Sequence, residues 1–325
     1  MAQKVLVVGG AGYIGSHMVR SLIEAGDKVV VFDNLSTGHR AMVPRKVKII
    51  KGDLNKKSDV RAALSHDSYD AVMHFAASSL VGESVENPLK YYRNNVSAFV
   101  NLLDSMIEAK VKRLIFSSTA AVFGEPAETP LKEESLKRPT NPYGRSKWMI
   151  EQMLQDADAA YGIKHVILRY FNAAGAHSSG ELGEDHDPET HLIPNLMRAI
   201  LGRGKALTVF GTDYPTPDGT CVRDYIHVED LCEAHRLALK WLMKGKKSGV
   251  FNLGTGTGYS IREIIREAES IAGKKVPVKY GPRRPGDPSI LVATSEKAKK
   301  IIGWKAKKTL RDILETAWRW HKNEN

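Results

Sequence analysis

Cysteine is scarce in this chain of 325 residues, which contains only Cys221 and Cys232 and no Cys-x-x-Cys pair. Two cysteines make no disulfide framework, so the composition favours a reduced compartment. Long apolar runs are also missing, because no stretch approaches the roughly 20 residues that cross a bilayer. The apolar run at residues 5–8 is too short for the core of a signal peptide. We therefore expect a cytoplasmic protein with no membrane partner.

Acidic residues are outnumbered by basic ones, and the formal net charge of +11 raises the question of a nucleic-acid partner. Many lysines lie near the end of the chain, as in EKAKKIIGWKAKKTL, where they alternate with apolar residues at helical spacing. This pattern indicates the solvated faces of two amphipathic helices. The sequence contains no basic-aromatic module and no helix-turn-helix pattern. We expect no nucleic-acid partner, and the charge instead favours a small anionic substrate.

The first half of the chain alternates short β-branched runs with longer amphipathic stretches. Such alternation predicts an α/β fold with a doubly wound parallel sheet, a Rossmann fold, whose strands end at one edge where ligands bind. The predicted strands are residues 4–8, 28–32, 47–51, 71–75, 113–116 and 165–168, and the predicted helices are residues 15–25, 88–109 and 143–161.

The pattern changes after residue 173. The stretch NAAGAHSSGELGEDHDPETH is polar and rich in glycine and acids, so it predicts a long loop, and such loops are usually functional. A helix at 193–201 and a strand at 207–210 follow, and VFNLG predicts a buried strand that rejoins the sheet. We predict one domain at 1–173, with returning segments around 223–254, and a smaller, mostly C-terminal α/β domain at 174–325.

A glycine-rich loop follows the first predicted strand and leads into the first predicted helix. Gly9, Gly12 and Gly15 permit a tight turn, the close approach of a pyrophosphate and the close packing of helix on strand. The helix N-terminus, which begins with Tyr13 and Ile14, supplies amide donors for the phosphates. This context makes the loop a predicted dinucleotide-binding site.

An acidic residue, Asp33, ends the second predicted strand, eighteen residues after the last glycine of this loop. A carboxylate at that position accepts hydrogen bonds from the adenosine ribose and repels a 2′-phosphate, which selects NAD over NADP. Asp53 follows the third strand and could reach the adenine, although an isolated aspartate in this setting is more often a helix cap. The predicted cofactor is therefore NAD.

Tyr143 and Lys147 lie four residues apart at the start of a predicted helix, on one face, where they can share a ligand. A free tyrosine has a pKa of about 10, and a nearby ammonium stabilises the phenolate, which favours proton transfer at neutral pH. Ser117 and Thr119 stand at the end of a buried strand, on the predicted ligand edge. Their hydroxyls either satisfy backbone groups or bind a substrate oxygen.

In this order, these motifs resemble the extended short-chain dehydrogenase/reductase superfamily. Within it the chain resembles the UDP-glucose 4-epimerase (UDP-galactose 4-epimerase) family along nearly its whole length. The stretches that carry the resemblance are GGAGYIGSH, FDNLSTGHR, GDL, HFAA, VGESVENPLKYYRNNV, SSTAAVFG, NPYGRSK, LRYFNAAGAH, GEDHDP, FGTDYPTPDGTCVRDYIHV, FNLGTG and PRRPGD.

The resemblance implies reversible C4 epimerisation of a UDP-hexose, UDP-glucose or UDP-galactose, through a 4-keto intermediate with tightly bound NAD. Tyr143 as a phenolate would take the O4 proton, Lys147 would hold the nicotinamide ribose, and Thr119 would orient O4. NAD carries the redox chemistry, so the mechanism needs no metal. The resemblance also implies a homodimer, formed through the helices at 88–109 and 143–161.

The binding residues of the family carry over position by position, with NAD in the 1–173 domain and the nucleotide sugar mainly in the 174–325 domain. Cofactor contacts beyond the glycine loop are expected from Asp33, Asn34, Asp53, Leu54, Phe75, Ala76, Ala77, Asn95, Ser117, Tyr143, Lys147, Tyr170 and Phe171. Substrate contacts are expected from Thr119, Tyr143, Asn172, His191, Leu192, Thr208, Val209, Phe210, Arg223, Arg284, Asp287 and Leu291.

Proteins with the same scaffold catalyse other reactions, and individual residues of this chain argue for or against them. A 4,6-dehydratase needs an Asp-Glu pair after the threonine, and Ala120 and Ala121 stand there, which argues against elimination. His191 stands where some epimerases have asparagine, and Leu291 occupies the position whose bulk gates N-acetyl sugars. Because leucine is intermediate in size, 4-epimerisation of UDP-N-acetylglucosamine, UDP-xylose or UDP-glucuronate stays open. A non-catalytic NAD-binding regulator is the remote alternative.

A group of acids and histidines in the long predicted loop has the composition of a metal site. It contains Asp185, His186, Asp187, Glu189 and His191. The group lacks the defined ligand spacing of known sites, and carboxylates beside histidines are common in polar loops. We therefore expect no metal.

Overall fold

The chain divides into two compact units. The computed structural model describes residues 2–126, 128–284 and 287–323, so Pro285 and Gly286 of the PRRPGD stretch lie outside the described residues. The first unit contains the residues up to Gly124, Ser135–Arg169 and Cys232–Phe251. The second unit contains Glu125–Glu134, Tyr170–Leu231 and the residues from Asn252 onward. The assignment of NAD and of the nucleotide sugar to separate domains stays a prediction.

Short apolar runs form the strands, because β-branched side chains fit a pleated, buried surface. The strands are β1 (Lys4–Val8), β2 (Lys28–Asp33), β3 (Lys48–Lys51), β4 (Ala71–His74), β5 (Arg113–Thr119), β6 (Lys164–Tyr170), β7 (Asn172–Ala174), β8 (Leu207–Phe210), β9 (Val222–Arg223), β10 (Tyr225–His227), β11 (Gly249–Leu253), β12 (Tyr259–Ser260), β13 (Val278–Gly281) and β14 (Ile290–Leu291).

The helices follow the amphipathic stretches of the sequence. They are α1 (Tyr13–Glu24), α2 (Lys57–Ser65), α3 (Val81–Glu86), α4 (Pro88–Tyr91), α5 (Ala98–Glu108), α6 (Pro142–Tyr161), α7 (Leu192–Ile200), α8 (Val228–Met243), α9 (Ile261–Ala272), α10 (Glu296–Ile302) and α11 (Leu310–Asn323). In the described part of the chain, no helix is both long enough and apolar enough to cross a membrane.

A seven-stranded parallel sheet forms the centre of the first unit, in the order β11-β6-β5-β4-β1-β2-β3. The run from β6 to β3 is the strand order of a dinucleotide-binding Rossmann sheet, so the predicted fold class is confirmed. The prediction that VFNLG rejoins the sheet is also confirmed, since β11 lies beside β6. Apolar side chains of the sheet pack with those of the helices in one core, for example Leu6, Phe99 and Leu114.

The predicted strand ends at residues 116 and 168 are too early. β5 continues to Thr119 and β6 to Tyr170. The added residues are polar, and they stay in the sheet because their side chains find buried partners. Ser117, Ser118 and Arg169 each make a side-chain hydrogen bond inside the first unit.

The helix predicted at 88–109 is helical from Pro88 to Glu108, but a π-helical segment, Tyr92–Ser97, separates α4 from α5 within it. Asn95 lies in this segment and is buried. Its amide is hydrogen-bonded to both backbone groups of Ser78 and to the hydroxyl of Ser146. The widened turn thus brings a polar side chain into contact with two neighbouring segments, and π-helical turns frequently mark functional sites.

The second unit contains three small sheets, which pair β7 with β10, β8 with β13, and β9 with β12 and β14. The predicted long loop at 172–191 is therefore shorter, because its first three residues form β7 and pair with β10 in parallel. Helices α7, α9 and α11 enclose a separate apolar core, with Leu196, Ile264 and Leu314 fully buried. α10 and α11 are amphipathic, as the spacing of the lysine-rich segment predicts.

Candidate active site

Two elements of the first unit, β5 and α6, hold the three predicted catalytic residues. Thr119 is the last residue of β5. α6 begins at Pro142, and the side chain of Asn141 caps it by accepting a hydrogen bond from the Gly144 amide at 2.9 Å. Proline and a polar cap are typical of a helix start, so the NPYG sequence places Tyr143 in the first turn.

The side chain of Thr119 interacts with that of Tyr143. The Thr119 oxygen accepts a hydrogen bond from the Ala121 amide at 3.1 Å, so its own proton is available to donate to the tyrosine oxygen. Burial raises the pKa of Tyr143, and the hydrogen bond from Thr119 partly offsets this increase. The predicted pair is thus in contact, but its surroundings favour the neutral phenol.

Lys147 lies one turn after Tyr143 in α6 and is buried. Its ammonium donates a hydrogen bond to the Ser117 carbonyl at 2.9 Å and lies 4.7 Å from the centroid of the Phe116 ring. Burial lowers the pKa of Lys147 to about 7, although the charge of Glu151 opposes this decrease. Lys147 is therefore held at the end of β5 by the backbone and by an aromatic face.

A buried ion pair lies one further turn along α6, and the sequence analysis did not identify it. Glu151 is fully buried and faces Arg169 of β6, whose Nε lies 3.0 Å from the nearer carboxylate oxygen. The hydroxyl of Ser118 donates to the same carboxylate at 2.5 Å. The spacing of Tyr143, Lys147 and Glu151 places all three on one helix face, and this regular interval is the signal that could have revealed Glu151.

The glycine loop has the form of a phosphate site. A side chain at Gly15 would place a Cβ 2.0 Å from the Gly9 carbonyl, so close packing excludes any larger residue there. At Gly12, a Cβ would meet only the Gly9 carbonyl, at 3.6 Å. The space over Gly12 is therefore available to a ligand. Among the described residues no side chain caps the N-terminus of α1, so its amides are available for an anion.

Asp33 is buried at the end of β2 and is fixed by two backbone amides. It accepts hydrogen bonds from Ala11 at 2.9 Å and from Leu35 at 2.8 Å, which ties the carboxylate to the glycine loop. Asp53 caps its own turn, since it accepts from the amide of Asn55 at 2.9 Å. Both carboxylates keep acceptor capacity for a ribose or an adenine, so their cofactor contacts stay predictions.

The other predicted cofactor contacts of the first unit surround the ends of β4 and β5. Phe75 follows β4, and its ring lies 4.9 Å from that of His235. The hydroxyl of Ser117 lies 3.0 Å from His235 as well. His235 is a buried residue that the sequence analysis missed, because it lies within an ordinary amphipathic helix pattern. The remaining predicted contacts of this unit, placed at turns and element ends, are Asn34, Leu54, Ala76 and Ala77.

In the second unit, the β9 strand collects several predicted substrate residues. Arg223 forms an ion pair with Asp287 and donates a hydrogen bond to the Val222 carbonyl at 2.7 Å. Leu291 of β14 is the register partner of Arg223. Asn172 of β7 donates its side-chain amide to the Asp224 carbonyl at 3.0 Å. A guanidinium and a carboxylate that already face each other are a suitable pair for a phosphate and a ribose diol.

The β8 strand places three predicted substrate contacts in different surroundings. Thr208 is exposed and Phe210 is half-buried, with the guanidinium of Arg284 4.1 Å from the centroid of its ring. The side chain of Val209 belongs to an apolar cluster and is 2% exposed. Any contact of Val209 with a nucleotide would therefore involve its backbone.

The remaining predicted contacts lie at the start of α7 and at the end of β6. Leu192 begins α7 and packs against the apolar core of the second unit. His191 is exposed, and its Nδ1 lies 3.0 Å from Glu184 and 3.1 Å from Glu189. Tyr170 and Phe171 are half-buried at the end of β6, within the second unit. Their roles in binding stay predictions.

The Rossmann sheet, with a threonine, a tyrosine and a lysine grouped at the end of a central strand, defines a dinucleotide-dependent enzyme of the short-chain dehydrogenase/reductase type. Residues 5–254 match the model of the NAD dependent epimerase/dehydratase family. A UDP-glucose 4-epimerase of Lactobacillus helveticus is 55% identical over 322 residues, which cover 98% of this chain and 97% of that protein.

The chain is also similar to solved structures of UDP-glucose 4-epimerases. The crystal structure of a UDP-glucose 4-epimerase from Brucella ovis in complex with NAD matches with a TM-score of 0.95 at 48% identity, covering 98% of both chains. One from Bifidobacterium longum in complex with NAD+ and UDP matches with a TM-score of 0.94 at 40% identity, covering 99% of this chain and 98% of that one. The chain belongs to the NAD dependent epimerase/dehydratase family. The family predicted from the sequence motifs is thereby confirmed.

Proposed function

We propose that the chain catalyses the reversible C4 epimerisation of a UDP-hexose, interconverting UDP-glucose and UDP-galactose with a retained NAD. The observation that carries this proposal is the grouping of Thr119, at the end of β5, with Tyr143 and Lys147, which lie one turn apart on α6. The similar full-length proteins named UDP-glucose 4-epimerase support it, as do the two similar structures with bound NAD.

Proton transfer at the sugar O4 is the task of the first unit. Tyr143 accepts the O4 proton as C4 is oxidised and returns it when C4 is reduced from its other face. Thr119 donates its hydrogen bond to the oxygen at this position and so orients O4. Bound NAD supplies reversible hydride acceptance and donation at C4. A positive charge beside Tyr143 lowers its pKa toward the working range, against the effect of burial.

Lys147 contributes position and charge. Its ammonium is anchored on the Ser117 carbonyl and faces the ring of Phe116. This anchoring suits a group that holds a ribose hydroxyl and stabilises a phenolate one turn away. Elimination lacks its acid and base, because Ala120 and Ala121 follow Thr119 in a short 3-10 helix. The expected reaction is therefore limited to the redox cycle at C4.

Nucleotide recognition belongs to the second unit in this proposal. Arg223 and Arg284 supply guanidinium groups that suit a diphosphate, and Asp287 suits a ribose diol. Arg284 stacks on Phe210, which leaves an aromatic and cationic surface for a planar base. The position of Leu291 beside Arg223 supports a role in sugar selection.

A panel of sugars tests the activity and its closest alternatives. The protein is incubated, without added NAD, with UDP-glucose, UDP-galactose, their N-acetyl forms, UDP-xylose and UDP-glucuronate. We expect interconversion of UDP-glucose and UDP-galactose. Exclusive turnover of another pair would replace the proposed substrate, and NAD binding with no turnover of any sugar would support the regulator alternative.

We also propose that the chain forms a homodimer through the helices of the first unit. Besides Tyr161 at the end of α6, five large apolar residues on α3 to α6 are exposed, and α3 and α4 pack on α6. Burial of such a surface against a second copy is favourable, because isolated monomers rarely expose large apolar patches. The five residues are Val81, Val85, Leu89, Val100 and Met149.

Sedimentation equilibrium tests the homodimer. The variant Val85→Lys with Leu89→Lys is expected to sediment as a monomer, because two charges would be buried at the contact. Leu136→Lys is the matched control, since Leu136 is equally exposed but lies outside these helices. A wild-type monomer, or a double variant that dimerises as well as the control, contradicts the proposal.

We further propose a cytoplasmic, reduced setting. Cys221 and Cys232 are both free thiols and both buried, which supports a compartment where thiols stay reduced. Cell fractionation tests this proposal, which fails if the protein is recovered outside the cytoplasmic fraction.

A further inference from the structure

The second unit contains a cluster of two histidines and two glutamates, called here the His/Glu cluster. Its members are Glu184, His186, Glu189 and His191, and one ligand atom from each lies within 4.8 Å of the others. We propose that the His/Glu cluster is a binding site for one Zn²⁺ ion. This inference does not rest on the proposed epimerase activity, and it replaces our expectation that the chain holds no metal.

The distances from His186 to the two carboxylates fit a tetrahedral site. Zinc binds imidazole nitrogen and carboxylate oxygen at about 2.0–2.2 Å, which places neighbouring ligand atoms about 3.3–3.5 Å apart. Nδ1 of His186 lies 3.5 Å from Glu184 Oε1 and 3.5 Å from Glu189 Oε2. These distances exceed an ordinary N–H···O hydrogen bond of about 2.7–3.2 Å. They equal the edge of the expected tetrahedron.

The second histidine, His191, faces the same two carboxylates. Nδ1 of His191 lies 3.0 Å from Glu184 Oε1 and 3.1 Å from Glu189 Oε1. The centroids of the two imidazole rings are 5.1 Å apart and the rings are tilted by 49°, so their nitrogens converge without stacking. Both histidines thus direct the same ring nitrogen at the same pair of carboxylates.

The burial of the two carboxylates also favours a cation at this place. The side chains of Glu184 and Glu189 are 5% and 1% exposed, and buried anions require compensating charge. Glu189 Oε1 accepts hydrogen bonds from the amides of Thr190 and His191, whereas the buried Glu189 Oε2 faces Nδ1 of His186 at 3.5 Å. An acceptor oxygen that is buried and aimed at the other ligands is suited to a metal ion.

The acids next in sequence do not compete for the site. Asp185 faces Arg198 of α7 at 3.6 Å. Two imidazoles and two carboxylates form a mixed nitrogen and oxygen set, which favours zinc over the all-oxygen shells of calcium and magnesium. A zinc ion here would tie residues 184–191 together immediately before α7, so its main effect would be on the stability of the second unit.

Zinc uptake by the full chain tests the proposal. Protein without an affinity tag is treated with chelator, dialysed against Zn²⁺ and analysed for metal content without any sugar. We expect one zinc per chain and a higher melting temperature. His186→Gln should lower the affinity at least tenfold, whereas the control His177→Gln, which removes a histidine of the same unit outside the cluster, should bind as the wild type does. Absence of uptake, or equal affinity in the two variants, overturns the proposal.

A measurement on the wild type keeps the test valid if the His186 variant fails to fold. X-ray absorption at the zinc edge should show four nitrogen or oxygen ligands with the outer shells of two imidazoles. Sulfur ligands at about 2.3 Å would place the ion on cysteine instead and overturn the proposal. Epimerase activity is assayed separately, so a failed zinc site and a failed catalytic assignment are distinguishable.

Discussion

Each unit of the molecule buries a group of charged side chains, and the two groups differ in what neutralises them. In the first unit, Glu151 is paired with Arg169, whose guanidinium stays charged at any ordinary pH. In the second unit, the carboxylates of the His/Glu cluster face imidazoles, whose charge depends on pH. Both groups are built from carboxylates removed from water.

The difference separates a permanent environment from a conditional one. The Glu151–Arg169 pair lies next to Lys147 whatever the solution conditions, and the Glu151 charge limits how far burial lowers the lysine pKa. In the His/Glu cluster, burial opposes the charged imidazoles, but the neighbouring carboxylates of Glu184 and Glu189 raise the pKa of His186 to about 9. The charge of the Glu151–Arg169 pair, which lies near the catalytic residues, is therefore independent of pH. The His/Glu cluster lies in a loop and can exchange a proton or, as proposed, a metal ion.

The largest expected effect is the loss of kcat when the hydroxyl of Tyr143 is removed. Tyr143→Phe is expected to lower kcat by at least about 10²–10⁴-fold, because proton transfer at O4 loses its base, while UDP binding is unchanged. Steady-state kinetics and UDP titration measure the two quantities. Tyr91→Phe is the matched control, since the two rings lie 6.4 Å apart but the Tyr91 hydroxyl bonds to Glu83. Equal losses in both variants would remove Tyr143 from the chemistry.

Breaking the permanent pair should give the largest effect on stability. Glu151→Gln leaves the Arg169 guanidinium buried without a counter-charge, which should lower the free energy of unfolding by about 3–5 kcal/mol. Urea denaturation measures this change in the free energy of unfolding. Glu108→Gln removes an exposed partner of Arg61 in the same unit and is expected to change nothing measurable. Similar effects of the two substitutions would show that the Glu151 pair is not special.

The lysine should make the stability of NAD-free protein depend on pH. The folded pKa of Lys147 is about 7 and the ordinary pKa of a lysine is 10.5, so between these values the unfolded chain binds more protons. Stability should therefore rise with pH through this window, by about 2–3 kcal/mol between pH 7 and pH 9 relative to Lys147→Met. Urea titrations of both proteins at several pH values measure the difference. A difference that is constant with pH contradicts the lowered pKa.

The His/Glu cluster should show the opposite slope, with a smaller effect. Its histidine pKa values are raised, so the stability they contribute is fully present below about pH 6.5 and is lost as pH rises through the folded values of about 9 and about 10. In chelator, His186→Gln should therefore destabilise the protein more at pH 6 than at pH 10. An effect of His186→Gln that increases with pH would invalidate this account of the cluster.

Local patterns were sufficient to predict much of the first unit. The glycine loop, Asp33 and the Tyr143–Lys147 spacing are features of short segments, and each has the predicted position in the fold. The helical interval places Glu151 on the face of Tyr143 and Lys147, but its ion pair with Arg169 joins a helix to a strand and depends on packing, which this interval does not reveal. The buried charged residues around the catalytic residues are therefore harder to predict from sequence than the catalytic residues themselves.

The second unit was harder to predict, since its contacts join short strands that are distant in sequence. The burial of Val209 depends on an apolar cluster with Cys221 and Ile261. The excursion at Glu125–Glu134 has the composition of a loop, rich in glutamate and proline, which does not show to which unit it belongs. The loop acids and histidines were dismissed as a metal site because their spacing follows no known motif. Their proximity is a property of the folded loop.

One measurement tests the central claim most directly. The protein is incubated with UDP-galactose in D₂O, without added NAD, and the products are followed by NMR. The account predicts conversion to UDP-glucose with protium retained at C4, because the hydrogen removed from C4 is returned from the cofactor and never exchanges with solvent. Failure to form UDP-glucose, or deuterium at C4 of the product, would contradict it.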